Sequence, residues 1–225
     1  MNTKTFKFNS TIDVIGAMPD FPQDIIKNEP MFFNASPAYA YEHGGPITKT
    51  FVCKIADRFN MFDFWADMVL DTRVHMAMEG FYLCIPGFHH DDVPRNTTSG
   101  QPNYYNPDYH SKHIMGLVNG DIAPTQFAVG KCEMPDIEEG EVYYRKWHPI
   151  VENLCETGEL KRYDALGNPI IAFEAHSFHR GQQAIKAGWR WFGRVSYDTD
   201  RTKSITNEIR NQVQVYIPAP DYRGW

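Results

Sequence analysis

The chain has 225 residues, 42% of them hydrophobic and 14% aromatic, which suits one sizeable core and excludes large-scale disorder. A formal net charge of −6 argues against a broad phosphate-binding surface and leaves only a local basic groove open for nucleic acid. The start MNTKTFKFNSTIDV lacks the apolar centre of a signal peptide and no run is long enough for a membrane span, so a soluble, cytoplasmic protein is expected, with Cys53, Cys84, Cys132 and Cys155 as reduced thiols.

No repeat or Pro/Gly/Ser linker divides the chain, so residues 1–225 read as one domain. The first 50 residues read as irregular, with Pro19, Pro22, Pro30, Pro37 and Pro46 as breakers. From Phe51 to Leu70 the apolar residues Ile55, Phe59, Phe62, Ala66 and Val69 fall at helical spacing, which predicts a core-facing helix. Strands are then predicted over Thr72–Met78, Gly80–Ile85, His113–Val118, Thr125–Val129, Ile170–Phe178, Trp189–Tyr197 and Gln212–Ile217. A short helix is expected over Val142–Leu154, broken or kinked at Pro149. Count and spacing suggest a β-sandwich or jelly roll with a few flanking helices.

The segment Ile85-Pro-Gly-Phe-His-His-Asp-Asp-Val-Pro-Arg95 is the most unusual in the chain. Two histidines and two aspartates are costly to bury unpaired. Side chains alternate along a strand, so either His89 with Asp91 or His90 with Asp92 could present an imidazole and a carboxylate to one metal ion. A second group lies in Glu174-Ala-His-Ser-Phe-His-Arg-Gly181, where His176 and His179 compete. In the strand that follows, Arg190, Phe192, Arg194 and Ser196 share one face. Arginines on a core-like strand need an anion, either a small dicarboxylate or acidic side chains of this chain. Two His and one carboxylate leave open positions on a metal, the facial triad of non-haem iron oxygenases.

On these residues the sequence resembles the Fe(II)/2-oxoglutarate-dependent dioxygenase superfamily. The resemblance rests on Phe88-His-His-Asp91, on His179, and on the arginines after it, and it covers roughly residues 70–200. Arg194-Val-Ser196 looks like the R-x-S pair that holds the co-substrate in some members. Ala123-Pro-Thr-Gln-Phe-Ala-Val-Gly130 is similar to a P-T-E-F segment of some branches, with Gln126 in place of the usual Glu. The resemblance implies a double-stranded β-helix (jelly roll, cupin-like), mainly β. It implies Fe(II) on His89, Asp91 and His179, the choice of His89 resting on the aromatic Phe88 before it. His176 then becomes a supporting residue. It also implies 2-oxoglutarate as co-substrate with O2. Arg194 and Ser196 would hold its far carboxylate, with Arg190 in support. A carboxylate at position 91 favours hydroxylation over halogenation.

Further expectations concern the surroundings. Asp92 and Arg95 should form a salt bridge. His43, His75, His110, His113 and His148 have no convincing partner at ligand spacing, and of these His113 opens a predicted strand that would border the site. The tyrosines of Asn103-Tyr-Tyr-Asn-Pro-Asp-Tyr109 would stack on a planar substrate, line a polar pocket or belong to an ordinary surface loop. A small molecule such as an amino acid or nucleoside is the first choice of substrate. A nucleic-acid base is the second, and would need a basic groove. Two rivals use the same residues differently: a cupin-like metalloenzyme without 2-oxoglutarate, and a non-enzymatic jelly-roll binding module. The sequence leaves the oligomeric state open.

Overall fold

A computed structural model describes residues 4–59, 67–106, 110–138 and 140–210. Its strands are β1 Thr5–Ser10, β2 Ile12–Ala17, β3 Met31–Phe33, β4 Met68–Ala77, β5 Lys112–Val118, β6 Thr125–Pro135, β7 Lys161–Asp164, β8 Pro169–Glu174, β9 Phe178–Gly181, β10 Gly188–Tyr197 and β11 Glu208–Arg210. Its helices are α1 Gln23–Lys27, α2 Pro37–His43, α3 Pro46–Phe59 and α4 Tyr143–Glu156. A larger antiparallel sheet has the order β2-β8-β5-β10-β4. A smaller one pairs β6 with β1, β7 and β9, and the segment at His89 joins it through a bridge to β9.

From β4 onward the chain passes repeatedly between the two sheets. It runs from β4 to the His89 segment, back to β5, across to β6 and β7, back to β8, across to β9 and back to β10. This is the connectivity of a mainly β double-stranded β-helix, although the sheets do not close into a barrel among the described residues. The period of two decides each face. On β5, Ile114 and Val118 join the cluster under α3, while Met115 and Leu117 face the other sheet. On β10, Trp191 and Val195 pack with Phe51, Val52 and Ile55 of α3, and Arg190, Phe192 and Arg194 face inward. Helix α4 lays Tyr143, Tyr144, Trp147 and Val151 on the smaller sheet. The layers are therefore helix, sheet, sheet, helix.

Several expectations are corrected. The first 50 residues are not irregular: Pro37 and Pro46 open helices, where a missing N–H costs nothing. Glu29, buried, caps α3 by accepting from the N–H groups of Ile47 at 3.2 Å and Thr48 at 2.8 Å. Within the expected 51–70 helix, α3 has ended by Phe59, and Val69 and Leu70 belong to β4. Phe62 and Ala66 lie outside the described residues, as does the strand expected over Gln212–Ile217. Gly80–Ile85 is turn, with one bridge from Tyr82 to Gln183. The run expected over Ile170–Phe178 is two strands, since residues 175–177 turn the chain from one sheet to the other. Helix α4 continues through Pro149.

Candidate metal centre and its two cavities

His89 follows the Pro86-Gly87 turn and pairs with His179 of β9. Each backbone N–H donates to the other's carbonyl, at 3.0 and 3.1 Å. Residues paired this way present their side chains on the same face. Asp91, two residues on, returns to that face. Ligand-capable atoms of His89, Asp91 and His179 all lie within 4.8 Å of one another. Asp92 then takes a left-handed φ of 53°, which an aspartate tolerates, and the chain turns away.

Second partners fix the protons on both rings. Nδ1 of His89 lies 2.7 Å from the Gly87 carbonyl, and Nδ1 of His179 lies 2.9 Å from that of Ser177. A carbonyl only accepts, so each Nδ1 carries a proton, and Nε2 is the ring nitrogen that each histidine turns toward the triad. His179 Nε2 faces Asp91 Oδ2 at 3.1 Å, and His89 Nε2 lies 3.8 Å from Asp91 Oδ1. Two imidazole Nε2 atoms and a carboxylate converging at this spacing are a donor set that fits a divalent metal. Burial, aided by the charge of His179, lowers His89 to about 4 and keeps it neutral. Burial would raise the Asp91 carboxyl, but Arg194 and then His179 outweigh it and hold Asp91 well below the usual range.

The register of β10 decides what its inner face meets. Arg190 lies opposite His75 and Arg194 opposite Asp71, both on β4, and Ser196 lies opposite His113 of β5. The guanidinium of Arg194 donates to Asp91 and lies 3.3 Å from Asp71 and 3.8 Å from Asp92. Arg201 bonds the same Asp71 at 2.8 Å and lies 3.5 Å from Asp92. Ser196 is fully buried with its Oγ 2.9 Å from His113 Nδ1. Arg194 and Ser196, the residues expected to grip an external carboxylate, thus both have partners within the protein.

Arg190 is different. It is 1% exposed, its Nη2 donates to Thr125 Oγ1 at 3.2 Å, and its Nε has no hydrogen-bond partner, as is also true of Arg194; the difference lies in the counter-ion. Among the described residues no carboxylate pairs with Arg190. A buried guanidinium without a counter-ion is costly, so the site fits an anionic guest. Arg190, Thr125 and His75 line an inner cavity of about 500 Å³ that also touches His89, Asp91 and His179. His89 and Asp91 also line an outer cleft of about 1190 Å³, bounded by Tyr144, Ser111, Asp198 and Arg201 among others. The triad thus stands where cavity and cleft meet.

The remaining candidates fall behind this face. His90 points the opposite way, buried at 3%. Its Nδ1 lies 3.0 Å from Tyr104 Oη, Tyr104 donates to Tyr144 Oη at 3.0 Å, and Tyr144 donates to the His90 carbonyl at 3.0 Å. This closed cycle ties the first-ligand segment to α4. His176 packs on Phe8 and His90, away from the triad. Arg95 bonds the Gly100 carbonyl at 3.3 Å, and the expected pair with Asp92 is replaced by Arg194 and Arg201. Tyr104 is packed against Trp147 rather than stacked on a substrate, Tyr105 is on the surface, and Tyr109 lies outside the described residues. Sequence reasoning missed Asp71, Tyr144 and Arg201, which carry no local motif, and set aside His75, which lines the inner cavity. Thr125 lay within the 123–130 segment but was given no role.

No family model matches the sequence, and no curated protein matches it. Among solved structures, the chain has a likeness to HygX from Streptomyces hygroscopicus, a crystal structure with iron bound. The two are 10% identical with a TM-score of 0.35, over 88% of this chain and 83% of that one. A likeness at that level carries no argument about this chain.

Proposed function

We propose that the chain is an Fe(II)- and 2-oxoglutarate-dependent oxygenase that hydroxylates a small polar molecule. One observation carries this reading. Two imidazoles and a carboxylate converge beside a cavity that is also lined by a buried arginine without a counter-ion among the described residues. His89, Asp91 and His179 would hold the metal. Arg190, with Thr125, would hold the far carboxylate of the oxoacid, so the anchor is Arg190 rather than Arg194. The bound metal and oxoacid would supply the oxidising chemistry, in which O2 oxidises a substrate C–H bond as 2-oxoglutarate becomes succinate and CO2.

The chain's own residues do the rest. The Gly87 and Ser177 carbonyls keep both ligand rings in the metal-binding tautomer. Arg194 holds Asp91 ionised and fixed. Phe173 and Phe192 wall the inner cavity and limit water there. In the outer cleft Asp67, Asp92, Asp198 and Asp200 stand against Arg95, Arg201 and Lys203. That mixture makes no basic track, which favours a small polar substrate over a nucleic acid.

The test is anaerobic addition of Fe(II) and then 2-oxoglutarate. The expected result is stoichiometric metal uptake followed by the weak visible charge-transfer band of the chelate. His89→Ala and His179→Ala should abolish uptake, and His176→Ala should keep it. Uptake without the band favours a metalloenzyme that does not use the oxoacid, and no uptake favours a binding module.

A further inference from the structure

Five oxidisable rings lead from the triad to the surface. Tyr144 lines the outer cleft, and its ring centroid lies 6.0 Å from that of His89. Its hydroxyl is hydrogen-bonded to Tyr104 at 3.0 Å. Tyr104 lies 4.7 Å from Trp147 and 5.0 Å from Tyr143, ring to ring, and those two are 4.9 Å apart. Tyr143 donates to Asp136 at 2.9 Å, and Tyr105 donates to the other oxygen of the same carboxylate. Tyr105 is 49% exposed.

Phenylalanine would fill this core equally well by area, as Phe6, Phe8 and Phe178 do beside it. What the tyrosines add, besides the hydrogen bonds that tie these segments together, is redox chemistry with a hydrogen-bond acceptor for each phenolic proton. A phenol that loses an electron becomes strongly acidic, so it oxidises readily only where its proton has somewhere to go. Tyr144 has the His90 carbonyl, Tyr104 has Tyr144, and Tyr143 and Tyr105 share a carboxylate. The strongest base is at the outer end, so the gradient runs outward.

We propose that Tyr144, Tyr104, Trp147, Tyr143 and Tyr105 form a relay that carries oxidising equivalents from the centre to the surface when no substrate is present to receive them. The proposal rests on the functional reading above. In such a turnover O2 and 2-oxoglutarate still yield succinate and CO2, and the second oxygen atom leaves as water after taking up two electrons and two protons. The two protons come from solvent in the outer cleft that Tyr144 lines, and each electron leaves Tyr144, whose phenolic proton shifts within its hydrogen bond to the His90 carbonyl and returns when an electron returns. Tyr144 is refilled through Tyr104 and Trp147 or Tyr143, and Tyr105 is re-reduced by a one-electron donor in solution such as ascorbate. The device spares the ligand side chains from oxidation, a competing reaction that an oxygenase site must control.

The experiment mixes the Fe(II)-loaded full chain with 2-oxoglutarate and O2 in the absence of substrate. It reads succinate, radical signal by freeze-quench electron paramagnetic resonance, and oxidised residues by peptide mass spectrometry. In the parent, succinate should accompany a tyrosine or tryptophan radical that ascorbate removes. Tyr144→Phe should lose that radical and move the damage to the triad segment. Tyr105→Phe, a surface change that leaves the core intact, should retain a radical that resists ascorbate, with oxidised product accumulating at Tyr143 or Trp147. Succinate without any radical overturns the relay and leaves the oxygenase reading standing. So does the same radical and damage pattern in Tyr144→Phe. Absence of both succinate and the chelate band overturns the oxygenase reading and the relay with it.

Discussion

The two arginines of β10 look interchangeable in sequence, and their neighbours separate them. A charge-assisted hydrogen bond contributes about 1.5–3 kcal/mol, which at about 1.4 kcal/mol per decade is roughly a ten- to a hundred-fold change in affinity. Arg190→Ala should weaken 2-oxoglutarate binding by about that much and leave Fe(II) uptake unchanged. Arg194→Ala should instead weaken metal binding by about ten- to a hundred-fold, because it releases a ligand's supporting partner. Paired titrations of metal and oxoacid decide it, and parental oxoacid affinity in Arg190→Ala would sink the assignment. The convergence of His89 and Asp91 was legible because a period of two is a local property. The partner of Arg194 was not, because Asp71 reaches it only through the register of β10 against β4.

At the scale of elements, the strands best read from sequence were those with apolar residues on the helix-covered face, such as β5 and β10. The alternation of β1, with Phe6 and Phe8 against Lys7, was present but hidden by the proline-based reading of its region. Docking of α3 could not be read at all, since it depends on a glycine across the sheet. A Cβ on Gly116 of β5 would meet the Phe51 ring at 2.6 Å, and Phe51 in turn packs edge-on against Trp191 at 5.4 Å. Gly116→Ala therefore sets two effects against each other. Removing a strand glycine contributes about 0.5–1 kcal/mol, whereas overpacking a filled core costs about 1–3 kcal/mol. Overpacking should win, lowering the urea midpoint with an unchanged slope. Phe51→Leu in the Gly116→Ala background should recover part of the loss, showing coupling between contacting residues. A Gly116→Ala protein at least as stable as the parent would contradict this packing.

Across the whole molecule the space between the sheets is divided. One part is apolar, filled by Met115, Leu117, Phe127, Ile171 and Phe173, and the other carries Asp71, Arg73, His75, Arg190 and Arg194. Holding charged and titratable groups inside links stability to pH. Burial, then the charges of Arg190 and Arg73, lower His75 to about 3, and burial first of all holds His90 and His113 well below the ordinary histidine value. A histidine depressed in the fold stays neutral there while the unfolded chain takes up a proton below about pH 6.5. The unfolded state then binds more protons, so stability falls as pH falls through that range. Asp71 acts in the same direction at lower pH. Burial opposes its ionisation, but Arg194 and Arg201 outweigh that and lower its pKa, so its contribution is present above about 3.9 and lost as pH falls below it. Urea unfolding of the metal-free protein should therefore show stability falling steadily from about pH 6.5 downward. His75 alone accounts for up to one proton, which is about 1.4 kcal/mol per pH unit between about 4 and 6. His75→Asn keeps a neutral polar group at the cavity wall and removes the titration. Its stability should fall by that much less per pH unit, so that, relative to the difference above pH 6.5, where the histidine is neutral in both states, the variant gains on the parent as pH falls. An unchanged slope in His75→Asn would mean that the folded protein takes up the proton at this position as readily as the unfolded chain, and that His75 is not what makes the protein sensitive to acid.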